Sequence, residues 1–146
     1  GAVAVVDGVG DFCCEYMTNG SVVNLSHYGK NLGNGMSGGT AYQYDPSGNI
    51  VTQCSQDSVV ALRLDEQTPL CLGHEAALLY HLECHIDATG STLAQSLINN
   101  WAEHKAHFYV LIPKTLYSYR CPNNIVDSNE RRTMLKSSHK LGQTAY

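Results

Sequence analysis

The sequence predicts an all-β dominated fold, a parallel β-solenoid with about 19 residues per coil, followed by two flanking α-helices. Two observations lead to this prediction. Glycine-led, β-rich runs recur along the first third of the chain, as GAVAVV from residue 1, GSVVNL from residue 20 and GTAYQY from residue 39. After residue 65 the spacing of apolar residues changes from that of strands to that of helices.

Two interleaved glycine series mark the repeat, and each has a step of 19 residues. The first series is Gly1, Gly20 and Gly39, and the second is Gly10, Gly29 and Gly48. A solenoid turns sharply at each corner, and glycine meets a positive φ or a close backbone approach at the lowest steric cost. We therefore expect these six glycines to be structural.

Strand alternation predicts which columns of the coil face the interior. The column Val5, Asn24 and Gln43 becomes polar along the chain, so we expect it to face outward. The neighbouring columns, which begin at Ala4 and Val6, stay mostly apolar and are expected to face the core. A later copy, SVVAL, follows SVVNL after nearly two periods and extends the solenoid to residue 65.

Helical spacing predicts two helices over residues 74–104. Gly90 is a C-cap signal for the first helix, and Ser91 or Thr92 can cap the second. An extended segment containing HFYVLIP is expected over residues 105–120.

These elements form one predicted domain over residues 1–120, and a polar tail covers 121–146. The chain has 146 residues, a hydrophobic fraction of 43% and a formal net charge of −4. This composition argues against nucleic acid and anionic membranes as partners, because both require a concentrated basic patch. No apolar run approaches the roughly 20 residues that span a bilayer. We therefore expect a soluble, cytoplasmic protein whose six cysteines are mostly reduced.

One alternative is a nucleotide-binding loop. Gly33, Gly35 and Gly38 spell G-x-G-x-x-G, the spacing of a dinucleotide-binding turn. That turn must open directly into a helix, whereas Pro46 and Gly48 interrupt the following segment. The loop from Gly33 to Gly39 therefore favours a structural interpretation over a phosphate site.

A second alternative is a metal site. His81, Cys84 and His85 fall at i, i+3 and i+4 of the first predicted helix, where they can present ligands for zinc on one face. The competing interpretation is a helix whose exposed side carries histidines and whose cysteine faces the solenoid. We expect no metal and no cofactor, and no pattern identifies a catalytic residue.

Residues 8–45 (GVGDFCCEYMTNGSVVNLSHYGKNLGNGMSGGTAYQYD) resemble the GXGXG domain, the C-terminal β-helix of the glutamate synthase large subunit. EYMTNGSVVNL and GNGMSGGTAYQYD carry its glycine-punctuated signature, and ATGSTLAQSLINNW and HFYVLIPK are similar to its downstream segments. The resemblance covers roughly residues 1–120. It is specific because it spans many positions at fixed spacing.

The resemblance implies a right-handed parallel β-helix that is not itself catalytic. In that family the domain packs between the glutaminase and flavin-binding synthase domains, which hydrolyse glutamine, transfer ammonia and form glutamate reductively. No catalytic, flavin-binding or cluster-ligating residue of the family matches a position here. We therefore expect a structural or interaction module that either supports assembly of a glutamine-dependent, glutamate-forming enzyme through protein partners or is a divergent stand-alone protein. We also expect self-association through the open end of the solenoid.

Overall fold

The computed structural model describes residues 1–120. Within that range the strands are β1 (Val3–Val6), β2 (Ser21–Asn24), β3 (Thr40–Tyr44), β4 (Val59–Arg63) and β5 (Phe108–Pro113). The helices there are α1 (Ile50–Gln53), α2 (Pro69–Thr89), α3 (Thr92–Asn99), α4 (Trp101–His104) and α5 (Lys114–Arg120), with a 3-10 turn over Lys105–His107. The tail predicted over 121–146 lies outside the described residues.

The described strands form an open, mixed sheet. β1, β2 and β3 pair side by side in parallel. β5 pairs antiparallel with β3 on one side and with β4 on the other. The order across the sheet is therefore β1, β2, β3, β5, β4.

The predicted all-β, right-handed β-helix is wrong, because the described chain is a mixed α/β domain on a sheet that does not close. In a solenoid β4 would pair in parallel with β3. Instead β5, from much later in the chain, inserts antiparallel between them. The HFYVLIP run is apolar on both faces, and β5 is buried along its whole length. A central position in the sheet buries such a strand on both sides.

The 19-residue step describes the pairing of β2 with β3, whereas β1 pairs with β2 at a step of 18 residues. Asn24 lies opposite Gln43 in the register of β2 and β3. Residues 2–17, which we name the first layer, lie along residues 21–37 through backbone hydrogen bonds. One of these bonds joins Gly29 N to the carbonyl oxygen of Gly10 over 3.3 Å.

The prediction that Asn24 and Gln43 face outward is also wrong. They are 2% and 0% exposed, and Asn24 Nδ2 donates to Gln43 Oε1 over 2.8 Å. Gln43 Nε2 donates to the carbonyl oxygen of Ser26 over 2.7 Å. Buried amides persist where they are hydrogen-bonded, so this column is a polar ladder inside the domain. Ala4, expected to face the core, is exposed.

The helix caps follow the predicted signals. Gly90 ends α2 in the left-handed conformation, with φ 67°. The Ser91 side chain accepts a hydrogen bond from Ala94 N and caps α3. The second predicted helix is interrupted at Asn100, which separates α3 from α4. In the described part of the chain, no helix is both long enough and apolar enough to cross a bilayer.

Residues 105–120 do not form one extended segment. β5 occupies the middle of this range, and the chain turns into α5 directly after Pro113. The strand explains the apolar run, whereas α5 begins at the polar residue Lys114. β5 thus covers the apolar run, and residues 114–120 form α5.

The core has two parts, one on each face of the sheet. Phe108 and Val110 of β5 pack with Leu78 and Leu82 of α2. Leu111, on the opposite face of β5, packs in a second cluster whose other buried members are Leu32, Met36, Ala41, Ile50, Cys54, Val59 and Tyr109. β5 thus joins both halves of the core and fixes α2 over the sheet.

Candidate functional site

β1 leaves one edge of the sheet open. Ser21 N donates to the carbonyl oxygen of Ala2, and Leu25 N donates to that of Val6, both over 2.9 Å. Backbone groups alternate in direction along a strand, so those of Val3 and Val5 point away from β2. Their N–H and C=O groups face the open edge.

The sequence of β1 offers little protection for this edge. Natural edge strands are blunted by lysine, proline, bulges or covering segments, whereas β1 reads VAVV and Val3 is 46% exposed. β4, at the opposite edge, is different. It ends at Arg63, which forms an ion pair with Asp65 over 2.6 Å, and α5 packs beside it. β1 is therefore the edge better suited to pairing with another strand.

The first layer presents apolar and acidic side chains around this edge. Phe12 and Tyr16 are 41% and 71% exposed. Asp7, Asp11 and Glu15 are exposed as well, and the layer contains no lysine or arginine. The open side of the domain thus combines apolar surface with negative charge.

A shallow groove of about 400 Å³ lies between β1 and α2, lined by Val3, Val5, Tyr80, His81, Cys84 and His85. The candidate ligands predicted from the sequence therefore lie directly beside the open edge. His81 is only 4% exposed, and burial lowers its pKa. Tyr80 is exposed, and a hydrogen bond to Cys84 raises its pKa.

His81, Cys84 and His85 share this groove without forming a metal centre. Among residues 1–120, no group of three or more histidine, cysteine, aspartate or glutamate side chains is placed to hold an ion. Structural zinc sites use four such ligands in a closed tetrahedron. The spacing on α2 therefore places these side chains on one surface, but it does not assemble a ligand set.

The glycines of the G-x-G-x-x-G pattern pack against protein atoms. A β-carbon on Gly35 would lie 2.5 Å from the ring of Tyr16, and one on Gly38 would overlap the carbonyl oxygen of Thr18. The loop leads into β3 at Thr40, where a dinucleotide site would need a helix. Without that helix N-terminus there is no row of free N–H groups for a phosphate.

Gly39 and Gly10 differ clearly in the space that their surroundings leave for a β-carbon. Gly39 has φ +78°, and a β-carbon there would lie 2.7 Å from Met17 Cε and 2.9 Å from the carbonyl oxygen of Gly20. At Gly10 no heavy atom lies within 4 Å of such a carbon. Steric contacts and a positive φ therefore require glycine at position 39, whereas no steric contact requires it at position 10.

Asp45 is a buried carboxylate in the turn that follows β3. It is 6% exposed. Its oxygens accept from Tyr28 Oη at 2.6 Å, Ile50 N at 2.9 Å and Ser47 Oγ at 2.6 Å. Burial raises the pKa of Asp45, but hydrogen bonds from Ser47, Tyr28 and Ile50 outweigh burial and leave it below its usual value. The DPSG segment indicates such a turn in the sequence, because an aspartate side chain often accepts a hydrogen bond from the backbone of the residue two positions later.

Two tyrosines of β3 bind histidines of the helical layer. Tyr42 Oη lies 2.9 Å from His74 Nδ1 on α2, and Tyr44 Oη lies 2.8 Å from His104 Nδ1 on α4. These polar contacts attach both helices to the same strand. Two of the seven histidines in the sequence therefore have a structural role.

Comparison with known proteins gives a consistent result. The family model described as "GXGXG motif" matches residues 1–114. The chain is 36% identical over 112 residues to ferredoxin-dependent glutamate synthase 1, chloroplastic/mitochondrial, of Arabidopsis thaliana, which covers 77% of this chain and 7% of that protein. It is 34% identical over 114 residues to glutamate synthase [NADH] of Schizosaccharomyces pombe, covering 78% of this chain and 5% of that protein.

A cyanobacterial relative agrees with these two. Ferredoxin-dependent glutamate synthase 2 of Synechocystis sp. is 33% identical over 110 residues, which is 75% of this chain and 7% of that protein. The chain thus spans less than a tenth of the length of the curated relatives it matches.

Proposed function

Since the chain belongs to the GXGXG family, we propose that it is a non-catalytic interaction module of a glutamate synthase type of enzyme. The observation that carries the proposal is the unprotected β1 edge beside an apolar and acidic first layer. In its relatives the matched region is a small part of a much longer protein. A module that docks onto other domains suits that setting.

Docking proceeds by strand addition. A partner strand pairs with the outward N–H and C=O groups of Val3 and Val5, and main-chain hydrogen bonds supply the affinity. The side chains of these valines line the groove beside α2. Asp7, Asp11 and Glu15 favour a partner strand flanked by lysine or arginine. The proposed partners are the glutaminase and flavin-binding synthase domains.

The hydrogen bonds of the buried polar side chains support the proposal that the module is non-catalytic. The oxygens of Asp45 accept hydrogen bonds within one turn and from Tyr28. Tyr42 and His74 join β3 to α2. A catalytic acid or base needs to reach a substrate proton, whereas these groups contact one another across structural elements.

A chimera tests the proposal. The matching segment of the Arabidopsis enzyme is replaced with residues 1–114 of this chain. Assembly of the chimera and its glutamate synthase activity are then measured separately. We expect the chimera to assemble and retain activity, and Val3→Lys to reduce both. Val51→Lys is the matched control, because Val51 is 45% exposed and lies on α1, away from β1. Equal losses in the two variants would contradict docking through β1.

Ligand titration tests the alternative class of function. NAD(P)H, FMN and zinc are added separately to the purified chain, and binding is followed by calorimetry. We expect no stoichiometric binding of any of the three. Tight binding that Gly38→Ala or His81→Asn abolishes would favour a nucleotide-binding or metal-binding protein instead.

Self-association is the second use proposed for the same edge. A two-fold axis midway between the Ala4 residues of two copies would place their β1 strands antiparallel, with Val3 of one copy opposite Val5 of the other. The like charges of the two first layers oppose this dimer. We therefore propose that it forms weakly, when no partner domain is present.

A further inference from the structure

Cys13 and Cys14 are adjacent thiols in the first layer. Their Sγ atoms lie 3.6 Å apart, and both side chains are half-buried. They pack at the margin of the cluster that contains Leu32 and Met36. The docking function proposed above does not use this pair.

The backbone around the pair is held in an unusual conformation. Phe12, Cys14 and Tyr16 have φ values of 58°, 62° and 53°, a sparsely populated region for residues other than glycine. Hydrogen bonds to the two cysteine carbonyls fix this segment, from Gly33 N to Cys13 O at 2.8 Å and from Met17 N to Cys14 O at 3.2 Å. Such conformations persist where surrounding contacts impose them, and they concentrate at functional sites.

We propose that Cys13 and Cys14 form a redox-active dithiol that small-molecule disulfides, such as oxidised glutathione, convert into a disulfide between neighbouring residues. The Cys13 thiolate attacks one sulfur of the small disulfide, forms a mixed disulfide and releases one thiolate. The Cys14 thiolate then attacks Cys13 Sγ and releases the second. The protein loses two electrons, and its two thiol protons end on the two released thiols.

The geometry suits both steps. The 3.6 Å between the sulfurs is close to the roughly 3–3.5 Å of a near-attack arrangement. A hydrogen bond from Cys14 lowers the pKa of Cys13 to about 7, although burial opposes it. The interaction with Cys13, together with burial, raises the pKa of Cys14. Once Cys13 is a mixed disulfide, its charge no longer opposes ionisation of Cys14, so the second step becomes easier.

The resulting disulfide is expected to be readily reversed. Neighbouring α-carbons lie about 3.8 Å apart across a trans peptide, which is shorter than the usual separation of about 4.4–6.8 Å for disulfide-bonded residues. A strained disulfide is reduced more easily. The pair therefore suits reversible oxidation better than permanent cross-linking.

Oxidation of the full chain, followed by mass spectrometry of its tryptic peptides, tests the proposal. The chain is treated with oxidised glutathione under native conditions, alkylated and digested with trypsin. The peptide 1–30 contains Cys13 and Cys14 and no other cysteine. We expect it to lose the mass of two hydrogen atoms, to retain no glutathione and to recover both thiols with excess dithiothreitol. A peptide that stays reduced, or one that keeps glutathione, would overturn the proposal.

Variants then separate the two steps. Cys14→Ser should trap glutathione on Cys13, and Cys13→Ser should react several-fold more slowly, because burial still raises the pKa of the remaining Cys14 thiol. Cys84→Ser is the control for an exposed thiol and should leave the oxidation of peptide 1–30 unchanged. If either pair variant fails to fold, the native peptide alone decides the outcome.

Discussion

Asn24 Nδ2 donates to Gln43 Oε1 over 2.8 Å across β2 and β3, and both side chains are buried. Gln43→Leu would remove one hydrogen bond from the Asn24 side chain and one from the carbonyl oxygen of Ser26. We expect Gln43→Leu to lower the free energy of unfolding by about 1–3 kcal/mol. Urea unfolding measures this loss.

A double-mutant cycle shows whether the loss comes from this contact. Asn24→Leu combined with Gln43→Leu removes both amides, so the double variant should cost less than the sum of the single variants by about 0.5–3 kcal/mol. Strict additivity would show that the two amides act independently.

The Asp45 turn gives a pH-dependent prediction. Because the pKa of Asp45 is lowered in the folded state, its contribution to stability is complete above the unfolded value of about 3.9 and is lost as pH falls through the folded value. Asp45→Asn should cost about 1–3 kcal/mol at neutral pH and flatten the acid limb of the stability curve. Unfolding by urea from neutral pH down to about pH 2 measures both effects.

A tyrosine pair supplies the control for the Asp45 turn. Tyr28→Phe removes one hydrogen bond to this carboxylate and should weaken the acid dependence partly. Tyr16→Phe removes an exposed hydroxyl and should change nothing. An acid limb that Asp45→Asn leaves unaltered would mean that other groups dominate it.

The glycine series predicts unequal costs of substitution. Gly39→Ala should destabilise the chain by about 1–3 kcal/mol, because alanine is strained at φ +78° and would crowd Met17. Gly10→Ala should change stability by less than about 1 kcal/mol, since its position has open space. Thermal unfolding of both variants measures the difference. Similar values would remove the steric explanation for Gly39.

Salt should strengthen self-association through β1. Like charges on Asp7, Asp11 and Glu15 oppose the dimer, and salt screens exposed charges. Sedimentation velocity of the chain should therefore show more dimer as salt concentration rises, and less in Val3→Lys than in Val51→Lys. An unchanged distribution would argue against this arrangement of the two layers.

Local signals in the sequence predicted part of the fold correctly. Gly90 and Ser91 mark the end of α2 and the start of α3 through capping chemistry, which involves only near neighbours. The 19-residue step predicted the register of β2 and β3. These features depend on residues close in sequence or on repetition, and both can be read without knowledge of the tertiary structure.

The failures involve contacts between distant segments. Nothing local to Val59–Arg63 indicates that β5 will separate it from β3, so the solenoid prediction extended the repeat too far. The sequence predicts a surface position for Gln43 because its buried partners lie in a preceding segment, Asn24 in β2 and the carbonyl oxygen of Ser26 just after it. The open edge could be inferred only in general terms, since the exposure of Val3 depends on which strands are its neighbours.

Amide hydrogen exchange at Val3 and Val5 is the most direct measurement of docking through β1. In the dilute isolated chain these two amides should exchange quickly, whereas that of Ala4, which points toward β2, should be protected. In the assembled chimera the amides of Val3 and Val5 should become protected by the added strand. If they exchange as quickly in the active chimera as in the isolated chain, the β1 edge is not the docking surface.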